Sequence, residues 1–313
     1  MTMWTHTFWS VPSLGPYPIA GFCSWEAFAR CAIVSCVLLR RIEGSARLVA
    51  DDRGAEWLID MLGCPYDRVD KLTPERMDGV HPALFAAAKV AAYDQRPVRH
   101  IDIDFIAAQK LIGEPERHPV VVSNLEGPGS VTSIYESGIQ FMIDRFDLSD
   151  TSWAGIDMND LPSPGNVAVL SIEDQRVADE YVRQFWLLIG REQNRKAIDS
   201  WFDHAVDIHM NRTTINCCLE QMTLALVCRE LGVAMTPIFK RDNYTDIEQE
   251  VEDRKLKIVH LIRNKERGEL AGGWLNLLRS QFAADAELSQ HEERIESFSQ
   301  MMEAKHSRMM EAM

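Results

Sequence analysis

Asp102 and Asp104 stand one residue apart at the end of the short apolar stretch that begins at Val98. Side chains alternate along a strand, so a strand over Val98 to Ile103 would send both carboxylates to one side. Two carboxylates that close repel each other unless a cation lies between them. A hard divalent ion, magnesium or manganese, would supply that charge and leave positions open for a phosphate-bearing ligand. The bland alternative is a strand end at which Asp102 caps the next turn and Asp104 faces water.

The elements around this pair suggest what positions it. Trp4 to Val11 alternates and carries aromatics, as a first strand would. Trp25 to Arg41 has one apolar helical face, and Gly44 stops it. Ala46 to Ala50 reads as a strand, with Asp52 as N-cap of a helix from Gly54 to Leu62. Tyr66 to Leu72 is a short strand, and His81 to Tyr93 is Ala-rich and helical. Strand and helix thus alternate, which predicts an α/β fold with a mixed, mostly parallel sheet and flanking helices. Ligands of such sheets bind outside the carboxyl ends of strands, where Asp102 and Asp104 fall. Further on, strands are predicted at Val120 to Asn124, Asn166 to Ile172 and Lys257 to Ile262. Helices are predicted at Ile134 to Arg145, at Asp174 to Gly190, where Asp174 is the cap, at Thr214 to Leu231 and at Glu266 to Phe282. No Gly-x-Gly-x-x-Gly follows the first strand and no P-loop is present, which disfavours a dinucleotide-dependent dehydrogenase and a P-loop kinase.

The net charge of −14 over 313 residues argues against a nucleic-acid surface. Seven cysteines without a Cys-x-x-Cys spacing read as small apolar core residues in a reducing compartment. The amino terminus lacks the charge and apolar pattern of a signal peptide, and no run is long enough to span a bilayer, so a cytoplasmic location is expected.

Four stretches together resemble the GT-A type nucleotide-sugar glycosyltransferases, in particular bacterial enzymes with a His-Ile-Asp-x-Asp strand. They are Leu84 to Tyr93, His100-Ile101-Asp102-Ile103-Asp104, Cys218-Leu219-Glu220-Gln221 and Val259 to Lys265. The resemblance implies a Rossmann-type catalytic domain over residues 1–282, followed by a helical extension over 283–313. It implies a manganese or magnesium ion held by Asp102, Asp104 and His260. It also assigns Asp102, Lys89 and Lys265 to a nucleotide-diphosphate sugar. Glu220 and Gln221, read as opening an apolar helix, are the implied catalytic residues of a hexosyltransferase-like enzyme. The acceptor would be a saccharide, peptide or small molecule. The sequence departs from the family's pattern in three places: Arg263 and Asn264 stand where relatives often carry Gly, Ile103 follows the first Asp, and Pro164-Gly165-Asn166 replaces an Asn-x-Gly segment.

Two rival classes fit less of the pattern. Phosphatases of the haloacid-dehalogenase type also end a strand in Asp-x-Asp, but they open on that strand and want Thr or Val where Ile106 stands. A non-catalytic sugar-nucleotide-binding or assembly module would keep the fold and lose turnover. The tail, with Leu288, Ile295, Phe298, Met302, Met309 and Met313 at helical spacing, is expected to pack on its own domain or to form a homo-oligomer through a second copy.

Overall fold

The computed structural model describes residues 3–14, 22, 24–93, 96–107, 109–110, 112, 117–126, 135–203, 208–240, 258–260 and 268–312. The chain forms two compact units. The amino-terminal unit comprises Met3–Thr73, Asp102–Lys110 and Lys257–Met313, and the central unit comprises Pro74–Ile101 and Leu111–Leu256. Their strands, in chain order, are β1 (Trp4–Phe8), β2 (Ala46–Ala50), β3 (Arg68–Lys71), β4 (Val98–Ile101), β5 (Phe105–Ala107), β6 (Val120–Val122), β7 (Val169–Ile172), β8 (Met235–Pro237) and β9 (Ile258–His260).

In the amino-terminal unit β1, β2 and β3 lie parallel in the order β3-β2-β1. Every residue of β2 is buried. Its one charged member, Arg47, is neutralised by Asp70 of β3 at 2.5 Å, as a buried guanidinium requires. The outer strand β3 is mostly exposed and charged, a sequence that discourages pairing with another chain. Helix Trp25–Glu43 follows β1. Ser24 caps it by accepting from the Ala27 N–H, and Gly44, at φ 80, ends it in the left-handed conformation that glycine adopts without a Cβ penalty. Asp51, not the expected Asp52, caps the next helix by accepting from the Gly54 N–H. That helix is α-helical only over Asp52–Ala55 and continues as a wider π turn over Glu56–Met61.

The tail closes the core of this unit. Leu288, Ile295, Phe298 and Met302 are buried in one cluster with Trp25, Phe28 and Trp57. Phe298 meets Trp25 edge-on at 5.9 Å between ring centres, a favoured aromatic arrangement. Arg30 forks onto both carboxylate oxygens of Glu292, at 2.9 and 2.7 Å. The tail therefore packs on its own unit. The side chains of Met309 and Met313 lie outside the described residues.

In the central unit the order is β4-β7-β6-β8. Here β7 runs antiparallel to both β4 and β6, while β6 and β8 are parallel. The strands of the protein are accordingly mixed, and β7 is where parallel order breaks. Strand–helix alternation implies parallel pairing only when a helix alone returns the chain. Before β7 the long irregular segment from Asp147 to Gly165 follows helix Glu136–Arg145 and reverses the direction of entry. Gly138 of that helix is a packing necessity: a Cβ there would lie 2.6 Å from Thr214 Cγ2 and 2.7 Å from Cys218 Sγ. Among the described residues no helix is long and apolar enough to cross a membrane.

Phe298→Ala should cost about 3–5 kcal/mol, as removal of a buried aromatic does. Urea unfolding measures it. A loss under 1 kcal/mol would mean that the tail does not complete the core.

Candidate functional site

The acidic pair lies in a turn rather than on a strand. β4 stops at Ile101, the Phe105 N–H donates to the Asp102 carbonyl at 2.9 Å, and β5 begins at Phe105. Strand alternation therefore does not govern Asp102 and Asp104. The chain turns over four residues, and a turn leaves no pleat.

Helix Trp25–Glu43 holds this turn from behind. Cys31 Sγ donates to the Ile103 carbonyl at 3.4 Å, and Ser35 Oγ donates to the Phe105 carbonyl at 3.0 Å. Residues four apart share a helix face, so one face grips two carbonyls that flank Asp104. Ser35 has one proton and spends it on Phe105. Its oxygen, 3.1 Å from His6 Nε2, must therefore accept from the imidazole. His6 then carries its proton on Nε2, and its Nδ1 accepts from the Tyr66 hydroxyl at 2.7 Å. Burial pushes the His6 imidazole from the ordinary 6.5 to about 3, although the nearby charge of Asp104 pulls the other way. A neutral imidazole is the form this chain of hydrogen bonds needs.

The same turn meets the late strand. β5 and β9 pair antiparallel with Phe105 opposite His260. The backbone of His260 is thus brought beside the residue that follows Asp104, across more than 150 residues of sequence. Among the described residues no three His, Cys, Asp or Glu side chains gather as metal ligands would; the side chain of His260 lies outside the described residues, as does Lys265 altogether.

The central unit brings together three of the other residues expected from sequence. Lys89, on the short helix Ala86–Ala91, lies 3.5 Å from Glu220 Oε1, and both side chains are largely buried. Asn216 ties the Lys89 helix to the helix that precedes the π turn. Its Oδ1 accepts from the Ala86 N–H at 3.0 Å and its Nδ2 donates to the Ala83 carbonyl at 2.8 Å, so it pins the start of the Lys89 helix. Glu220 and Gln221 do not open a helix, as the sequence suggested. They lie in a π turn, Cys218–Met222, between helices Ile208–Cys217 and Thr223–Glu230. The favourable dipole of a helix start is therefore not their reason for being there. The wide turn buries both side chains, and such turns recur at functional sites.

Gln221 Oε1 lies 2.6 Å from the Tyr135 hydroxyl, which is also 2.8 Å from Glu126 Oε2. Asn166 Nδ2 donates to Glu126 Oε1 at 3.1 Å. Glu126 sits past the carboxyl end of β6, where residues 123–126 pair with 164–166: Ser123 N–H donates to the Asn166 carbonyl, Asn166 N–H to the Asn124 carbonyl and Glu126 N–H to the Pro164 carbonyl. Gly165 is obliged to be small here, since a Cβ would meet Val122 Cγ1 at 2.8 Å. Burial pushes the pKa of the Glu126 carboxyl up from its ordinary value, and its bonds from Tyr135 and Asn166 oppose the rise. Glu126, Tyr135 and Asn216 carry no local sequence signal, because each also acts through a partner distant along the chain. The Pro164-Gly165-Asn166 segment was the one available sign.

Residues 2–285 match a family described as a family of unknown function, DUF6734. The chain belongs to this family. No curated protein matches it. Among solved structures, the apo form of mouse xyloside xylosyltransferase 1 is similar over 75% of this chain and 84% of that one, with a TM-score of 0.38 and 11% sequence identity. Similarity at that level establishes no shared chemistry.

Two measurements test this geometry. The unfolded chain takes up a proton on His6 below about pH 6.5 and the folded protein does not until about pH 3. Stability is therefore lost as pH falls through that window, by up to about 1.4 kcal/mol per unit from this group. His6→Gln should fold less stably and show a correspondingly shallower slope in urea unfolding between these limits; an unchanged slope would put the buried neutral imidazole in error. Lys89→Leu should cost about 3–5 kcal/mol by stranding the Glu220 charge, and adding Glu220→Gln should recover part of that loss. Strictly additive losses would show that the two side chains do not interact.

Proposed function

We propose that this member of DUF6734 is a metal-dependent glycosyltransferase that moves a sugar from a nucleotide-diphosphate sugar to an acceptor. The observation that carries the reading is the β5–β9 register, which sets His260 opposite Phe105 immediately after Asp104. The sequence resemblance named these residues as one set, and their backbones meet at one turn. Two carboxylates and an imidazole suit manganese or magnesium as a donor set, so Asp102, Asp104 and His260 are the residues that would hold the ion. When bound, the ion would supply positive charge to a departing diphosphate.

The rest of the reading concerns the chain's own groups. In transfer, the bond from the anomeric carbon to the diphosphate oxygen breaks, a bond to an acceptor oxygen forms, the bond's electrons leave with the nucleoside diphosphate, and the acceptor's hydroxyl proton passes to water. Lys265 would bind the diphosphate and Lys89 the donor. Glu220 stands 3.5 Å from the Lys89 ammonium in a largely buried setting. Gln221, held against Tyr135 and Cys217, offers an amide for the sugar, and dipoles aimed at developing charge are the usual source of such catalysis. A binding module would use the same groups without turnover.

The test is a thermal-shift screen of sugar nucleotides with and without manganese, since binding to the folded state raises the melting temperature. One donor should raise it only with metal, and Asp104→Asn should abolish that rise while keeping its own unliganded melting temperature. Equal responses from wild type and Asp104→Asn would remove the acidic turn from the site. The donor that binds is then assayed for release of nucleoside diphosphate. A donor held tightly but never cleaved, across a wide acceptor panel, would favour the binding module.

A further inference from the structure

The hydroxyl of Tyr135 faces two acceptors and has one proton. It can donate to the Glu126 carboxyl or to the Gln221 carbonyl, not to both. Two arrangements satisfy the count. If Glu126 is ionised, Tyr135 donates to it, and Gln221 must turn its amide so that its NH2 donates to the tyrosine oxygen. If Glu126 carries a proton, it donates to Tyr135, and Tyr135 donates onward to the Gln221 carbonyl. The second arrangement matches the structure, in which Gln221 Oε1 faces Tyr135 and Gln221 Nε2 faces Cys217 Sγ at 3.7 Å. Asn166 is fixed and cannot replace the missing proton: its Oδ1 accepts from the Ala168 N–H, so its Nδ2 is the group that faces Glu126.

We propose that Glu126 is a positioning residue: the proton on its carboxyl decides, through the Tyr135 hydroxyl, whether Gln221 turns its carbonyl or its amide toward Tyr135. The titratable groups around it are consistent with a proton held there. Tyr135, at the start of its helix, is too buried to ionise, and burial likewise raises the Cys217 thiol, which also feels the charges of Glu126, Glu220 and Lys89. The charged pair nearby, Lys89 and Glu220, stands 3.5 Å apart and is opposite in sign. Burial is the dominant influence on the Glu126 carboxyl itself and favours its neutral form. If Gln221 contacts the transferred sugar, as proposed above, this proton also sets whether the sugar meets a donor or an acceptor; that consequence rests on the glycosyltransferase reading, and the switch itself does not.

The experiment is nuclear magnetic resonance on the unliganded, full-length protein across a pH series. It follows the side-chain carboxyl carbon of Glu126 and the side-chain amide of Gln221, assigned with Glu126→Gln and Gln221→Glu. Glu126 should titrate above the ordinary glutamate range, and the Gln221 amide should shift with the same midpoint. In Glu126→Gln, whose new amide can donate to Tyr135 permanently, the Gln221 signal should sit at its low-pH wild-type position at every pH. A Glu126 that titrates in the ordinary range overturns the proposal, as does a Gln221 amide indifferent to Glu126. Should Glu126→Gln fail to fold, Tyr135→Phe serves: it must uncouple the two signals, and persistent coupling overturns the proposal. No donor or metal enters these measurements, so they can fail while the glycosyltransferase reading stands, and the reverse.

Discussion

Two hydrogen bonds from one helix face, Cys31 to the Ile103 carbonyl and Ser35 to the Phe105 carbonyl, fix the turn that carries the acidic pair. Much of the amino-terminal unit is arranged to keep them. Ser35 spends its proton on Phe105, so His6 donates from Nε2 to the Ser35 oxygen, and its other nitrogen is left to accept from Tyr66. A buried polar group left unpaired is costly, so each member of this chain enforces the next. The helix that presents Cys31 and Ser35 is in turn held by the tail, whose Phe298 and Ile295 share its core.

The central unit solves a different problem. It buries Lys89, Glu220, Gln221, Tyr135 and Glu126 within or beside its apolar core. Partners within reach offset the cost of burying them. Asn216 adds rigidity by tying two helices at a backbone amide and a backbone carbonyl. Precision of this kind is useful where a ligand must be held in one pose, and it is expensive where nothing is bound.

The outline of the fold was readable because burial writes itself into local pattern. β2 and the boundaries of helix Gln175–Gly190, with Asp174 as its cap, fall where the sequence places them. The acidic turn was misread as strand because Ile101, Ile103 and Phe105 alternate apolar and polar as a strand would, while the hydrogen bond that closes the turn is a backbone property. The direction of β7 was lost for a similar reason, since pairing sense depends on the path of an irregular segment. Of the candidate site, Lys89, Glu220 and Gln221 were visible from the sequence, and their arrangement was not. Glu126 and Tyr135 are ordinary residues until folding places them 2.8 Å apart.

The π turn at Cys218–Met222 amounts to one residue too many in an α-helix, and helix Thr223–Glu230 continues from it without a break. The wide turn absorbs that residue locally; in an unwidened helix the same extra residue would swing everything beyond it by roughly 100°, one residue's share of a 3.6-residue turn. Leu224, Leu226 and Val227, all buried, would leave their places in the core. The turn therefore carries Glu220 and Gln221 on widened backbone while the helix beyond keeps its buried face.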